Sequence, residues 1–219
     1  MSFTQYKNMI KLITTRYSGY KFRSRLEARW AVFFDALKVP YEFETEGFDL
    51  GEKEWYLPDF LIKPPYSPWN FWIEIKPMLS RLHVGQKWYE VDDPKVDMET
   101  FAKISTLVES GQRFRNCKYG MVIFGEPGTK RHQVLLSTDT DSFGSPEDTV
   151  SVLGICQSCN SLLVGYGEYW LPISTTFYST HKEFQSCSCE YVHSSSPIIL
   201  DAFRKALEAR FEFGETPKL

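Results

Sequence analysis

The sequence predicts an α/β protein: a helix, three strands, a second helix and a fourth strand, then a cysteine-bearing module and a final helix. Three observations predict it. Leu26, Trp30, Phe33 and Leu37 recur at helical spacing. Three short apolar or alternating segments follow between residues 41 and 76. A second helical pattern, Phe101, Ile104, Leu107 and Val108, then precedes the compact apolar run Met121-Val122-Ile123-Phe124.

Each element has a local reason. Residues 1–21 read as a polar, weakly helical lead-in. Ser24-Arg25-Leu26-Glu27 opens the first helix and Pro40 stops it. Tyr41-Glu42-Phe43-Glu44 alternates as a strand does, Trp55 to Ile62 reads as a second strand, and Phe71 to Lys76 as a third. Lys63-Pro64-Pro65-Tyr66-Ser67-Pro68 is the loop between the last two. Residues 78–96 are polar and irregular, and Gly125-Glu126-Pro127-Gly128 ends the fourth strand. Val134-Leu135-Leu136 adds one more strand, which closes a core of residues 1–136. Residues 137–150, rich in Ser, Thr, Asp, Gly and Pro, form a boundary loop, and residues 151–193 hold four of the five cysteines. The last helix runs from about Pro197 to Phe213 within residues 196–214. Ser196 is its N-cap, Pro197 suits the first turn, and Gly214 lies past the end. Leu200, Phe203 and Leu207 form the stripe expected to pack it back on the core.

Composition narrows the function classes. The chain has 219 residues, 42% hydrophobic and 24% charged, which suits one sizeable globular domain with a small appendage. No apolar run approaches the ~20 residues that cross a bilayer, and the first residues lack an apolar signal core. The expected location is the cytoplasm, that of a host cell if the protein is phage-encoded. A net charge of −3 and a pI near 5.9 do not advertise nucleic-acid binding. The distribution says more. Residues 1–30 carry Lys7, Lys11, Arg16, Lys21, Arg23, Arg25 and Arg29 against Glu27 alone, interleaved with Tyr17, Tyr20 and Phe22. Such a patch can neutralise phosphates and stack on bases, or it can be a solvated basic face.

The chemistry centres on Leu57-Pro58-Asp59-Phe60 and Trp72-Ile73-Glu74-Ile75-Lys76, with 14 residues between Asp59 and Glu74. The two carboxylates are hard oxygen ligands of the kind Mg²⁺ or Mn²⁺ prefers. Residues two apart on a strand share a face, so Glu74 and Lys76 project together. Surface strands also alternate Glu and Lys, and Pro-Asp also opens turns. Here both segments are apolar, and an apolar sheet rejects isolated charges unless they are paired or bind metal. Two carboxylates, a lysine and a divalent ion are the parts needed to hydrolyse a phosphodiester.

This motif, with the element order, resembles the PD-(D/E)XK nuclease superfamily over roughly residues 20–126. Phe22-Arg23-Ser24-Arg25-Leu26-Glu27-Ala28-Arg29-Trp30 looks like the first helix of phage-type and transposon-end members. The resemblance implies a restriction-endonuclease-like core, a three-stranded meander and a fourth strand in one mixed sheet, in which Asp59, Glu74 and the Ile75 carbonyl hold the metal. It implies that Lys76 orients the attacking water and that Glu27 reaches the same site from the first helix. Glu27 has a second reading, because Ser24-x-x-Glu27 is also a capping box. The resemblance favours the site role. Lys103 is the candidate from the second helix, against the reading of an ordinary solvent-facing lysine. The Gln-x-x-x-Tyr signature of helicase-linked members is absent, because Gln86-Lys87-Trp88-Tyr89 has the wrong spacing.

Cys156-Gln157-Ser158-Cys159 and Cys187-Ser188-Cys189 form two close pairs with 27 residues between them. Four thiolates give Zn²⁺ a closed, structural shell. Cys-x-Cys is tighter than the usual second half, and His181 or His193 could replace a cysteine. Disulfides require an oxidising compartment, so zinc is the expected partner. Cys117 reads as a buried small hydrophobe.

The sequence thus points to a Mg²⁺- or Mn²⁺-dependent deoxyribonuclease with a structural Zn²⁺, serving phage or mobile-element DNA processing or recombination. Lys21, Arg23, Arg25 and Arg29 are the expected DNA contacts. A homodimer and phage or host replication or recombination proteins are the further partners considered. The alternatives are a non-catalytic DNA-binding or recombination accessory protein, and a phage factor that binds a host protein.

Overall fold

The computed structural model describes residues 13–51, 55–63, 70–77, 94–110, 117–128, 132–138, 150–156, 162–166, 169–172, 192–193 and 195–211. The fold is mixed α/β. Strands β1 (Thr15–Tyr17) and β2 (Tyr20–Phe22) lead into helix α1 (Arg25–Ala36). Then come β3 (Tyr41–Phe43), β4 (Phe48–Asp49), β5 (Trp55–Tyr56), β6 (Phe60–Ile62) and β7 (Asn70–Lys76). Helix α2 (Pro94–Glu109) crosses to β8 (Cys117–Gly125). Strands β9 (His132–Thr138), β10 (Val150–Cys156), β11 (Leu162–Tyr166), β12 (Tyr169–Pro172) and β13 (Val192–His193) precede helix α3 (Pro197–Glu208).

Among the described residues, nine strands form one mixed sheet in the order β12-β11-β10-β9-β8-β7-β6-β3, with β13 also on β10. β3, β6 and β7 pair antiparallel, while β7 and β8 are parallel and joined through α2. That connection is the crossover a parallel pair requires.

Alternation along the strands separates two cores. Phe60, Ile62, Phe71, Ile73, Ile75, Met121 and Ile123 pack with α1 and α3. Leu61, Trp72, Val122 and Phe124 pack instead with Ile104, Leu107 and Val108 of α2. The sheet therefore lies between helices on both faces. Gly120 lets α2 approach β8, because a Cβ there would sit 2.7 Å from Ile104 Cγ1 and 2.9 Å from Val108 Cγ2.

Several expectations need correction. The lead-in is not helical where it is described. β1 and β2 form a hairpin whose two turn residues, Ser18 and Gly19, have φ of 48° and 84°. Two positive φ values in a two-residue turn suit the right-handed twist of the strands. Residues 1–12 lie outside the described set. The segment Trp55 to Ile62 is two strands, since Pro58 has no N–H for a ladder. β5 pairs with β4, and β6 pairs with β3 and β7. Helix α3 ends at Glu208, with Ala209 as its C-cap, not near Phe213. Its buried stripe is Ile199, Ala202, Phe203 and Ala206, whereas Leu200 is exposed. The Ser196 cap is as expected: its hydroxyl accepts the Ile199 N–H at 3.5 Å.

The strands of the cysteine-bearing segment do not stand apart. β10 pairs with β9, and Leu153, Leu162 and Val164 join the core beneath α1 and α3. These strands therefore share the core of the rest of the sheet.

Candidate functional site

The site follows from strand register. β3 pairs Phe43 with Phe60, and β6 pairs Phe60 with Ile73. One step further along all three strands, Glu44, Asp59 and Glu74 fall in a row. The Glu44 N–H donates to the Asp59 carbonyl at 2.9 Å, which fixes one link of that row. The Ile75 N–H donates to Asp59 Oδ2 at 2.7 Å, which fixes the other. Pro58 has no N–H for the ladder, and here the Asp59 carboxylate stands in for a backbone carbonyl as the acceptor of the Ile75 N–H.

Asp59 and Glu74 are 1% and 4% exposed, so neither carboxylate is an ordinary surface charge. Glu74 Oε2 accepts the Tyr56 hydroxyl at 3.1 Å, and its Oε1 is paired with the Lys76 ammonium. Glu74 and Lys76 thus share one face of β7, as their spacing predicts. Asp59 Oδ1 accepts from the Arg23 guanidinium, whose Nε lies 2.6 Å from Glu44 Oε1.

Glu27 enters from α1. Its carboxylate accepts the Arg23 N–H at 2.9 Å and the Ser24 hydroxyl at 2.8 Å, while Ser24 Oγ accepts the Glu27 N–H at 3.2 Å. This is a capping-box arrangement displaced by one residue, since Glu27 takes the amide before the cap instead of the cap's own. The capping reading of Glu27 is therefore realised. It does not exclude Glu27 from the site, because the same charge raises the pKa of Asp59.

Electrostatics mark the cluster as costly. Burial, then the neighbouring Glu74 and Glu27 carboxylates, push Asp59 well above the usual carboxylate range. The Ile75 N–H and Arg23 offset this only in part. Burial likewise pushes Glu27 up, against the pull of Ser24 and Arg23. Burial opposes the Arg23 charge, and Asp59, Glu44 and Glu27 outweigh it. Crowded, buried carboxylates that resist ionisation favour any group that brings positive charge. The donor set, hard oxygens from Asp59, Glu74 and Glu27, is chemically suited to Mg²⁺ or Mn²⁺. Among the described residues no three His, Cys, Asp or Glu side chains stand as a preformed metal cage.

The remaining candidates are placed as follows. Lys21 is exposed on β2. Arg25, at the start of α1, is half-buried and has interactions of its own. Arg29 pairs with Glu126 at 2.6 Å beyond the end of β8, so it is committed within the fold. Lys103 pairs with Glu99 at 2.8 Å, one turn back on α2. Glu44 and Tyr56 were not anticipated. The alternation of Glu42 and Glu44 could have suggested the first, but only the register reveals its neighbour. Cys156 ends β10, where it pairs with Val192, and His193 pairs with Ile155. Cys159, His181, Cys187 and Cys189 lie outside the described residues.

Comparisons with protein-family models, curated proteins and solved structures find no match to this chain.

Proposed function

We propose that the protein is a Mg²⁺- or Mn²⁺-dependent deoxyribonuclease of the PD-(D/E)XK type. The observation that carries the reading is the pair of buried carboxylates, Asp59 just before β6 and Glu74 on β7, with Lys76 paired onto Glu74. The topology supports it too: an antiparallel β3-β6-β7 meander, a crossover helix and a parallel β8. Asp59 and Glu74 would hold the ion, with the Ile75 carbonyl and Glu27 as the further groups the resemblance implies. A bound divalent ion lowers the pKa of a water and offsets charge on the phosphate.

The chain's own residues do the rest. Glu74 fixes the Lys76 ammonium, and Tyr56 fixes Glu74, so the lysine is held in place before substrate arrives. A preorganised ammonium stabilises charge that develops on the attacked phosphate and orients the attacking water. Arg23 lies against the cluster, and Lys21 on β2 and Arg25 at the start of α1 stand two residues to either side of Arg23 along the chain; these three would meet backbone phosphates. Arg29 is withdrawn from that role by Glu126.

A structural zinc held by Cys156, Cys159, Cys187 and Cys189 belongs to the same proposal. Cys156 is paired with Val192. Cys159 lies three residues beyond the first and Cys189 three residues before the second. Three residues reach at most about 11 Å, so the two cysteine pairs are tethered to one point of the sheet.

Incubation of the full chain with supercoiled plasmid, linear duplex, branched and single-stranded DNA tests the reading. Cleavage of at least one substrate with Mg²⁺ or Mn²⁺, abolished by chelation, is expected. Metal-independent DNA binding with no cleavage of any substrate would replace it with the accessory-protein reading.

A further inference from the structure

The acidic row already holds a cation. Arg23 sits between β2 and the cap of α1, and this one residue closes on three carboxylates. Its backbone N–H binds Glu27, its Nε lies against Glu44, and its outer nitrogen binds Asp59. Glu44 takes part from a left-handed backbone with φ of 45°, a conformation a side-chain-bearing residue rarely adopts. Such strain is tolerated where the surroundings over-determine a residue, and here the Asp59 carbonyl and Arg23 both fix it.

Both Asp59 oxygens have occupants. The Ile75 N–H on Oδ2 belongs to the backbone of β7 and cannot leave without opening the strand. The guanidinium on Oδ1 ends a side chain that is 51% exposed. An incoming divalent ion needs an Asp59 oxygen and is repelled by a cation already bound there. Of the two occupants, only Arg23 is free to swing outward into solvent.

We propose that Arg23 is the internal counter-ion of this site and exchanges with the divalent cation. With no divalent ion bound, Arg23 bridges Glu44 and Asp59 and neutralises the row. When the ion binds, the guanidinium leaves Asp59 and turns outward, where its planar fork meets a substrate phosphate. Cation and nucleic acid then strengthen each other's binding, because each favours the released arginine. This rests on the reading of the row as a divalent-cation site.

Two measurements on the full chain test the exchange, with Mn²⁺ alone as the probe. The first is Mn²⁺ affinity by calorimetry for the wild type, Arg23→Gln and Asp59→Ala. Removing one unit charge from beside the ion should tighten Mn²⁺ binding by about 10- to 100-fold in Arg23→Gln, while Asp59→Ala loses the site. The second needs no variant: phenylglyoxal modification of Arg23, read by peptide mass spectrometry, should rise when Mn²⁺ saturates the protein. Wild-type Mn²⁺ binding that Asp59→Ala abolishes, with Arg23 reactivity unchanged by Mn²⁺, overturns the exchange and leaves the metal site standing. Equal or weaker Mn²⁺ binding by folded Arg23→Gln overturns it as well. Absence of any Asp59-dependent Mn²⁺ binding overturns both the exchange and the site on which it rests.

Discussion

Ser24 and Glu27 allow a clean separation of capping from catalysis. Ser24→Ala removes the hydroxyl that accepts the Glu27 N–H at 3.2 Å and donates to the Glu27 carboxylate at 2.8 Å. Loss of an N-cap side chain costs about 0.5–2 kcal/mol. For a chain of this size that lowers the melting temperature by about 1–8 °C. Cleavage at saturating Mn²⁺ should survive, because no proposed metal ligand is touched. Glu27→Gln does the reverse. The amide oxygen still accepts the Arg23 N–H, the amide nitrogen can donate to Ser24 Oγ, and the N–H of residue 27 still reaches the hydroxyl. Burial already disfavours the Glu27 charge, so the neutral isostere should melt at or above the wild-type temperature in metal-free buffer. Its turnover should fall at least ~10²-fold, the usual loss for one electrostatic catalytic group. Thermal melts and plasmid-cleavage rates on the two variants give four numbers. If Glu27→Gln cleaves at the wild-type rate, or loses as much stability as Ser24→Ala, then Glu27 is a cap and nothing more.

Three further outcomes follow from the same geometry. Lys76→Met should reduce turnover at least ~10²-fold while Mn²⁺ still binds, since the lysine supplies charge and not a ligand; a parallel collapse of Mn²⁺ affinity would reassign it. Asp59 and Glu27 have raised pKa values in the folded, metal-free protein, so the stability they contribute is complete below about pH 4 and lost as pH climbs through the raised values. In metal-free buffer the melting temperature of Asp59→Asn should therefore gain on the wild type as pH rises above about 4, the ordinary carboxylate value, while wild-type Mn²⁺ binding strengthens in the same direction as protons leave the shared oxygens; a pH-independent gap between the two proteins contradicts the burial argument. Elemental analysis of protein purified without added metal should find one zinc per chain, and it should persist in Asp59→Ala because the ligand sets differ; native protein with no zinc and freely alkylated Cys156 refutes the module.

What could be read from the sequence was what lies close along the chain. The Ser24 cap, the helix it starts and the shared face of Glu74 and Lys76 depend on offsets of two to four residues. Glu44 could not be found that way. It reaches Asp59 only through the pairing of β3 with β6, a contact that no local spacing encodes. The β1–β2 hairpin is legible in Tyr17-Ser18-Gly19-Tyr20, where Ser-Gly is a turn signal between two short strands. Pro58 sat in plain view inside an apolar run. Its missing N–H breaks that run, and the carboxylate of the next residue accepts the Ile75 N–H. The stripe of α3 slipped by one residue because Ile198, Ile199 and Leu200 are consecutive, and only packing decides which of them turns inward.

The central claim is that Asp59 and Glu74 jointly hold the divalent ion that this site uses. Anomalous diffraction from crystals soaked in Mn²⁺ tests it most directly. The account predicts a peak within bonding distance of both carboxylates, with the Arg23 guanidinium withdrawn from Asp59. A saturating soak that leaves this position empty, or places Mn²⁺ on other acidic residues alone, contradicts it.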